Sequence, residues 1–404
     1  MKLFGRGEHA PSERHKPDFA KAMWDFGWNI DSTKDWIYTP ENAFRKRFQK
    51  GMVLKNHPPT IADVALRAQV SIATVSRVLN GTTRVQPEKA ERVRRVIDEL
   101  RYVPRAAARV LASRKTHTIG LILSEINGAF FPPLLKGVEA QLHSAGYELL
   151  IYSTHNDHST QRKPLGEHNT DGLLVFTASL EPEELKRLYH INFPLVLMHE
   201  TPQEGMTIPV ITIENKDGAE KLVSHLIEKH GRCRIVFLRG PQGHEDSQWR
   251  ERGYLEALET HGIPFDPNLV ALGEFNEEQA FTAIQGLMTD GIEFDAVFAG
   301  DDDSAIGVYH ALKMTNRIIP DDVAVVGFDD VQFSRYISPA LTTIRAPIEE
   351  VGREAVRQML RLLNGEQAQA LTLMRTELVI RESCGCASSE SNQSQDELPP
   401  STRR

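Results

Sequence analysis

Between residues 60 and 103, small and branched apolar residues recur every three or four positions, the period of packed helices. Ala62, Val64, Ala65 and Ala68 supply one stripe, Val75, Val78 and Leu79 a second, and Val93, Val96, Ile97 and Leu100 a third. Thr60-x-x-Asp63 has the form of a capping box, with Asp where Glu is the stronger partner. Ser71 can cap the second helix, and Pro87 suits the first turn of the third. The spacing predicts three short helices, the first two joined by a tight turn. From residue 116 the period changes. Runs that are apolar throughout, at 118–124, 147–153, 172–176, 194–198 and 210–213, alternate with helical stretches at 131–145 and 218–230. A second set follows, with strands at 235–238, 269–272, 296–299 and 323–327 and helices at 248–261, 277–289 and 304–314. Apolar strands separated by helices predict parallel sheets covered on both faces. The fold class is thus α/β: an N-terminal three-helix headpiece, then a core of two similar lobes with a cleft at the carboxyl ends of the strands.

Several segments fall outside these periods. Residues 1–58 read as an N-terminal extension; its first 51 residues hold Trp24, Trp28 and Trp36 and the basic cluster Arg45-Lys46-Arg47. It is either an irregular arm or a stretch ahead of a true start at Met52. The headpiece is expected over 59–104 and the two-lobed core over 117–386. Between them, residues 105–116 contain RAAARVLASRK, a basic linker whose alanines permit a helix too short to persist alone. Residues 387–404 are a polar tail expected to be disordered. Only eighteen residues, 154–171, separate two strands of the first lobe, and they include Pro164 and Gly166. A truncated or irregular crossover is expected there, because a parallel connection is usually helical.

Charge sharpens this division. The chain of 404 residues carries a net charge of −8. Residues 52–115 hold thirteen Lys and Arg against five Asp and Glu, so a basic module is attached to an acidic body. No apolar run approaches the ~20 residues that span a bilayer, and the N-terminus lacks the apolar core of a signal peptide. A cytoplasmic, nucleoid-associated protein with no membrane partner is expected. Of three cysteines, Cys384 and Cys386 flank Gly385 and could bind a metal with help from elsewhere, but no second Cys/His pair is read at zinc-finger spacing; reduced tail thiols are preferred, and no metal and no cofactor are expected.

The chemistry concentrates in two places. On the helix over 71–79, Ile72, Ala73, Ser76 and Arg77 fall opposite the apolar stripe. Small Ala73 and Ser76 permit close approach to DNA, Arg77 can reach a guanine edge or a phosphate, and Ile72 can contact a thymine methyl. An ordinary three-helix bundle with a solvated arginine has the same local pattern. In the core, Asp301 and Asp302 follow the strand at 296–299 and Asp329 follows the one at 323–327. Carboxylates there face the cleft and accept pairs of sugar hydroxyls. Phe130, His244 and Phe275 are candidate wall residues. Each has a structural alternative: a helix cap for Asp302 or Ser304, a core aromatic for Phe275.

TIADVALRAQVSIATVSRVLNG followed by VIDELRYVPRAAARVLA closely resembles the lac repressor/galactose repressor family of bacterial transcription regulators. The likeness continues through IGLIL, NTDGLLV, SQWRERGY, AGDDDSAIG, VVGFDD, SPALTTIR and RESCG, so it covers residues 59–385. It implies a helix-turn-helix headpiece, a hinge helix and a periplasmic-binding-protein-like core that takes a small effector. By the resemblance, Ile72, Ala73 and Arg77 match positions that contact bases. Thr60, Ser71, Thr74, Ser76 and Asn80 match positions that hold phosphate or stabilise the headpiece. Leu111 matches a minor-groove wedge and Ala108 its partner in the groove, which suits a marginal helix that orders on DNA. Arg250 matches the effector-binding arginine, and a guanidinium fork suits sugar hydroxyls or a carboxylate. One departure stands inside the motif: Gln69 occupies a turn position where the family usually has Gly, which puts the turn conformation in question.

The implied function is a homodimeric repressor on a near-palindromic operator of double-stranded DNA, controlled by a small effector, a sugar or sugar derivative. A sugar-binding transport protein shares the core but not residues 60–111. An enzyme would need a paired nucleophile and base, a phosphate loop or a metal set. The Asp301–Asp303 run is the one acidic cluster that resembles the last.

Overall fold

The computed structural model describes residues 59–81, 85–102, 115–154 and 165–387, and the chain divides into two compact units at residues 104 and 105. In the first unit, α1 (Ile61–Ala68), α2 (Ile72–Asn80) and α3 (Pro87–Leu100) pack around Val64, Ala68, Val75, Val93 and Val96. The capping box closes despite its Asp: the Thr60 amide donates to Asp63 Oδ2 at 2.8 Å, and the Asp63 amide reaches Thr60 Oγ1 at 3.4 Å. Gln69 does adopt the left-handed conformation the turn requires, at φ 54° and ψ 45°, and its amide closes back on the end of α1. The strain of a side chain at positive φ is balanced by those bonds and by Val70, whose amide donates to the Ala65 carbonyl at 3.0 Å. Ser71 caps α2, accepting from the Thr74 amide at 3.2 Å. Arg92 of α3 donates through Nε to the Ala68 carbonyl at 2.8 Å, tying the third helix to an otherwise unpaired C-terminal carbonyl of the first.

The second unit begins with β1 (Thr118–Leu123), α4 (Phe131–Ser144), β2 (Glu148–Ser153), β3 (Gly172–Phe176), α5 (Pro182–His190), β4 (Leu195–Met198) and β5 (Val210–Ile213). The chain then crosses to α6 (Asn215–His230), β6 (Ile235–Arg239), α7 (Glu245–Thr260), β7 (Val270–Leu272), α8 (Glu277–Thr289), β8 (Ala296–Phe298), α9 (Asp302–Met314) and β9 (Ala324–Val326). It ends with β10 (Thr343–Arg345), α10 (Ile348–Leu363), β11 (Leu371–Met374) and β12 (Glu377–Val379). Two all-parallel sheets result, ordered β11-β5-β4-β3-β1-β2 and β7-β6-β8-β9, with β10 and β12 forming a separate antiparallel pair.

Among the described residues the lobes are less alike than the sequence pattern suggests: six strands against four. The reason is topological. After β10 the chain returns to the first lobe, lays α10 against α4 and adds β11 beside β5. Sequence periodicity missed this return, together with α5 and β12. Strands β10 to β12 are only three or four residues long, and β11 alternates exposed and half-buried positions instead of being apolar throughout. Of the 154–171 crossover, residues 155–164 lie outside the described residues, and 165–171 form turns with no helix. The reading of Cys384 and Cys386 as tail thiols needs correction: Cys384 is fully buried in the core and Cys386 packs against it.

Glycines set the closest helix contact. A Cβ on Gly137 of α4 would lie 1.9 Å from the Glu349 carbonyl oxygen of α10, and one on Gly352 would lie 2.5 Å from the Leu134 carbonyl oxygen. Both helices therefore cross at backbone contact. Gly137→Ala must push them apart, at about 1–3 kcal/mol, against the ~1 kcal/mol that alanine gains in helix propensity. Urea unfolding should show a lowered midpoint; an unchanged or raised one would mean the crossing has slack.

Candidate functional site

The exposed face of α2 is presented by its caps. Ile72 is 51 % exposed, unusual for an isoleucine, and Ser71, Ala73 and Arg77 are also exposed, while Val75 beneath them is fully buried. Thr74 and Ser76 are half-buried. Thr60 and Ser71 serve as the helix caps, so both hydroxyls are engaged inside the headpiece. The Asn80 side chain, Ala108 and Leu111 lie outside the described residues.

The cleft of the second unit is organised around Arg250 on α7, whose side chain is 3 % exposed. Its Nε donates to Asn215 Oδ1 at 2.9 Å, one terminal nitrogen to the Gly300 carbonyl at 2.8 Å, and the other to Asp329 Oδ1 at 3.2 Å. The guanidinium carbon lies 3.8 Å from the Phe328 ring centroid and 5.4 Å from that of Phe275. Burying this charge costs several kcal/mol unless its donors are met; acceptors come from the start of α6 and the ends of β8 and β9, and the β7–α8 loop adds the Phe275 ring. The backbone is strained to do so. Asp329 sits at φ 109°, and Glu274 and Phe275 both have positive φ.

A second chain of bonds continues to the first lobe. Asn215 Nδ2 donates to Asp246 Oδ1 at 2.7 Å, and Asp246 Oδ2 lies 2.7 Å from His199 Nδ1, just beyond β4. His199 packs edge-on to Phe130 at 5.8 Å and close to Phe176. Three further bonds join the lobes: Glu245 accepts from the amide and hydroxyl of Thr201, and Asp303 accepts from the Ala129 amide at 3.1 Å. His244 stacks edge-on to Phe275 at 5.1 Å. Two enclosed ring nitrogens, His199 Nε2 and His244 Nδ1, have no partner among the described residues.

Phe130, His244, Arg250, Phe275 and Asp329 thus meet around one cleft. Asp301 is placed differently from the expectation: it is the cap of α9, accepting from the Ser304 amide at 2.9 Å. The cap is therefore neither Asp302 nor Ser304. Asp302 is a buried structural hub, accepting from the Val331 amide and from the Ser334 and Thr343 hydroxyls. The three consecutive aspartates point to three different partners, which removes the acidic-run metal reading. Sequence reasoning missed His199, Asn215, Asp246 and Phe328. Three of the four stand within two residues of a strand's carboxyl end, the same signal that found Asp329. One metal-capable group exists among the described residues, His225, His230, Cys384 and Cys386, and it lies at the other end of α6 from Asn215, about 22 Å along the helix.

Residues 60–105 match the family described as "Bacterial regulatory proteins, lacI family", and residues 223–384 match "Periplasmic binding protein-like domain". The probable HTH-type transcriptional repressor ExuR of Bacillus subtilis is 32% identical over 332 residues, covering 80% of this chain and 98% of ExuR. The chain belongs to the lacI family. The ribose operon repressor of Escherichia coli is 31% identical over 325 residues, 80% of this chain and 98% of its own. Among solved structures, a CelR–cellobiose complex is 29% identical with a TM-score of 0.60, covering 80% of this chain and 99% of CelR. The lac repressor dimer bound to operator and the anti-inducer ONPF, at 24% identity and a TM-score of 0.69 over 81% of this chain and 99% of that one, shows the fold. The chain is a DNA-binding transcriptional regulator, and α1 to α3 lie within its matched helix-turn-helix region.

Protonation in the cleft follows burial. Burial holds His244 down at about 4, with Arg250 and His199 adding to the effect. Burial raises Asp329 and pushes Asp301 up to about 7, helped by Asp329 and Asp303 beside it. Asp246 stays near 2, because His199 and Arg250 outweigh its burial. For His244 the unfolded chain takes its proton near pH 6.5 and the folded one near 4, so this group removes stability as pH falls through that interval. Asp301 has the opposite sign, adding stability as pH falls from 7 towards 3.8. Bulk stability therefore blurs the two. An imidazole titration by NMR separates them, with His244 expected to titrate near 4; a midpoint near 6.5 would mean that the cleft is open to water.

Proposed function

We propose that this regulator is a homodimeric, cytoplasmic repressor of a near-palindromic operator, and that a sugar or sugar derivative bound between the two lobes controls its grip on DNA. The observation that supports the ligand reading most is Arg250: three of its donors are fixed by the protein, which leaves two of the five N–H groups of a guanidinium for a ligand. Beside it are Asp329, His199 Nε2 and His244 Nδ1, which have no partner among the described residues, and the aromatic faces of Phe130 and Phe275. Aromatic walls with convergent donors and acceptors suit a polyhydroxylated ring, and the relative CelR was solved with cellobiose. An enzyme is a poorer reading. His199 and Asp246 form a base-like pair, but no hydroxyl or thiol among the described residues is set against His199 Nε2. No helix among the described residues is long and apolar enough to cross a membrane.

In the operator complex, Ile72, Ala73 and Arg77 read base edges, while Thr74, Ser76 and Asn80 hold phosphate or stabilise the headpiece and the caps Thr60 and Ser71 steady it. Leu111 and Ala108 would act in the minor groove at the operator centre. The test begins with duplexes selected from a random pool by the full chain. Arg77→Ala should weaken binding to the selected site by about 1–3 kcal/mol, with a smaller loss on random DNA. Equal losses on both would place Arg77 on phosphate and remove it from sequence readout.

A further inference from the structure

The C-terminal turn of the second unit brings together residues that the chain keeps about 150 positions apart. Helix α6 carries His225 and His230 in its last two turns, and Gly231 ends it at φ 63°. Beyond β12, Ser383 pins the chain to β9: its hydroxyl donates to the Val325 carbonyl at 2.6 Å and its carbonyl accepts from the Val325 amide at 3.0 Å. Cys384-Gly385-Cys386 then turns against the end of α6. Gly385 stands at φ 108°, and a Cβ there would lie 3.0 Å from His230 Nδ1. Only glycine lets the turn approach so closely with both thiols on the histidine side. Cys386 Sγ is 3.4 Å from His230 Nε2 and 3.7 Å from His225 Nε2, and all four ligand atoms lie within 4.8 Å of one another.

From this geometry we propose that His225, His230, Cys384 and Cys386 form a four-ligand site for a thiophilic divalent ion, zinc foremost. A tetrahedral zinc ion with bonds of about 2.0–2.3 Å spaces its ligands about 3.3–3.8 Å apart, so small side-chain shifts complete the shell. Two thiolates neutralise the ion and two imidazoles fill the remaining positions. Softness favours zinc over magnesium or calcium. Four protein ligands leave no open coordination position, so the site is structural. His225-x4-His230 is a pair at finger-like spacing, which corrects the expectation that no such pair exists. The ion staples the end of the last crossover to α6, whose other end holds Asn215 in the cleft.

The experiment uses the full chain, free of any affinity tag, reduced and stripped with chelator, then titrated with cobalt(II) as the probe. One equivalent should give the visible bands of tetrahedral cobalt together with a thiolate charge-transfer band, zinc should displace it, and zinc should raise the unfolding temperature. Cys386→Ser and His230→Gln, both at partly exposed positions, should each weaken cobalt binding by more than the roughly 10–100-fold that loss of an outer-shell partner costs. Circular dichroism confirms that each variant is folded. Absence of a thiolate band in the folded, reduced chain, or full cobalt affinity in folded Cys386→Ser, would overturn the proposal. Neither outcome bears on operator binding, which is measured separately.

Discussion

A guanidinium removed from water must have its donors met, and that constraint arranges the cleft of this protein. Arg250 draws its partners from the start of α6, the Gly300 carbonyl beyond β8, and Asp329 and Phe328 beyond β9. The unfavourable φ of Asp329 is tolerated because it places a carboxylate on this cation, while its amide and carbonyl stay bonded to Ile344 and Ala346. Gly300 has no side chain for a related reason: a Cβ there would lie 2.3 Å from the Leu238 carbonyl oxygen. The second lobe is built so that its strand ends converge on one charge.

The same charge reaches the first lobe through side chains alone. Arg250 orients Asn215, Asn215 and His199 share Asp246, and His199 rests among Phe130 and Phe176. The Thr201–Glu245 and Ala129–Asp303 bonds add polar contacts between the lobes, beside an apolar cluster that runs from Leu121 and Phe131 to Phe237 and Phe298. A ligand acts on such an arrangement by its differential affinity for the open and closed forms. A sugar hydroxyl that bonds Arg250, His199 and Asp329 together would favour closure, and the proposed regulation uses that preference.

Much of this was legible in the sequence, for identifiable reasons. Buried parallel strands such as Gly172–Phe176 and Val210–Ile213 are apolar throughout, and α8 begins after Asn276, which caps it, so their bounds could be read directly. The return of the chain to the first lobe was not legible, because β10 to β12 are too short to show a period. In the cleft, the strand-end rule located Asp329 but was not applied to His199 or Asn215. It misjudged Asp301 and Asp302, because which of two adjacent carboxylates caps a helix and which is buried as a hub depends on Ser334 and Thr343, tens of residues away. The histidine–cysteine group was hidden for the same reason: its halves meet only after the whole second lobe has folded.

The proposed coupling runs from the Arg250 network, which senses the ligand, to α2, which holds the operator. It is tested most directly by operator affinity, measured by fluorescence anisotropy with and without each member of a carbohydrate panel, in the natural chain and in Arg250→Gln. The expected result is that one carbohydrate shifts the operator dissociation constant of the natural chain by the ~5–150-fold typical of allosteric coupling. Arg250→Gln should still bind operator yet lose that shift. A carbohydrate response that persists undiminished in Arg250→Gln would mean that the ligand is sensed elsewhere in the molecule.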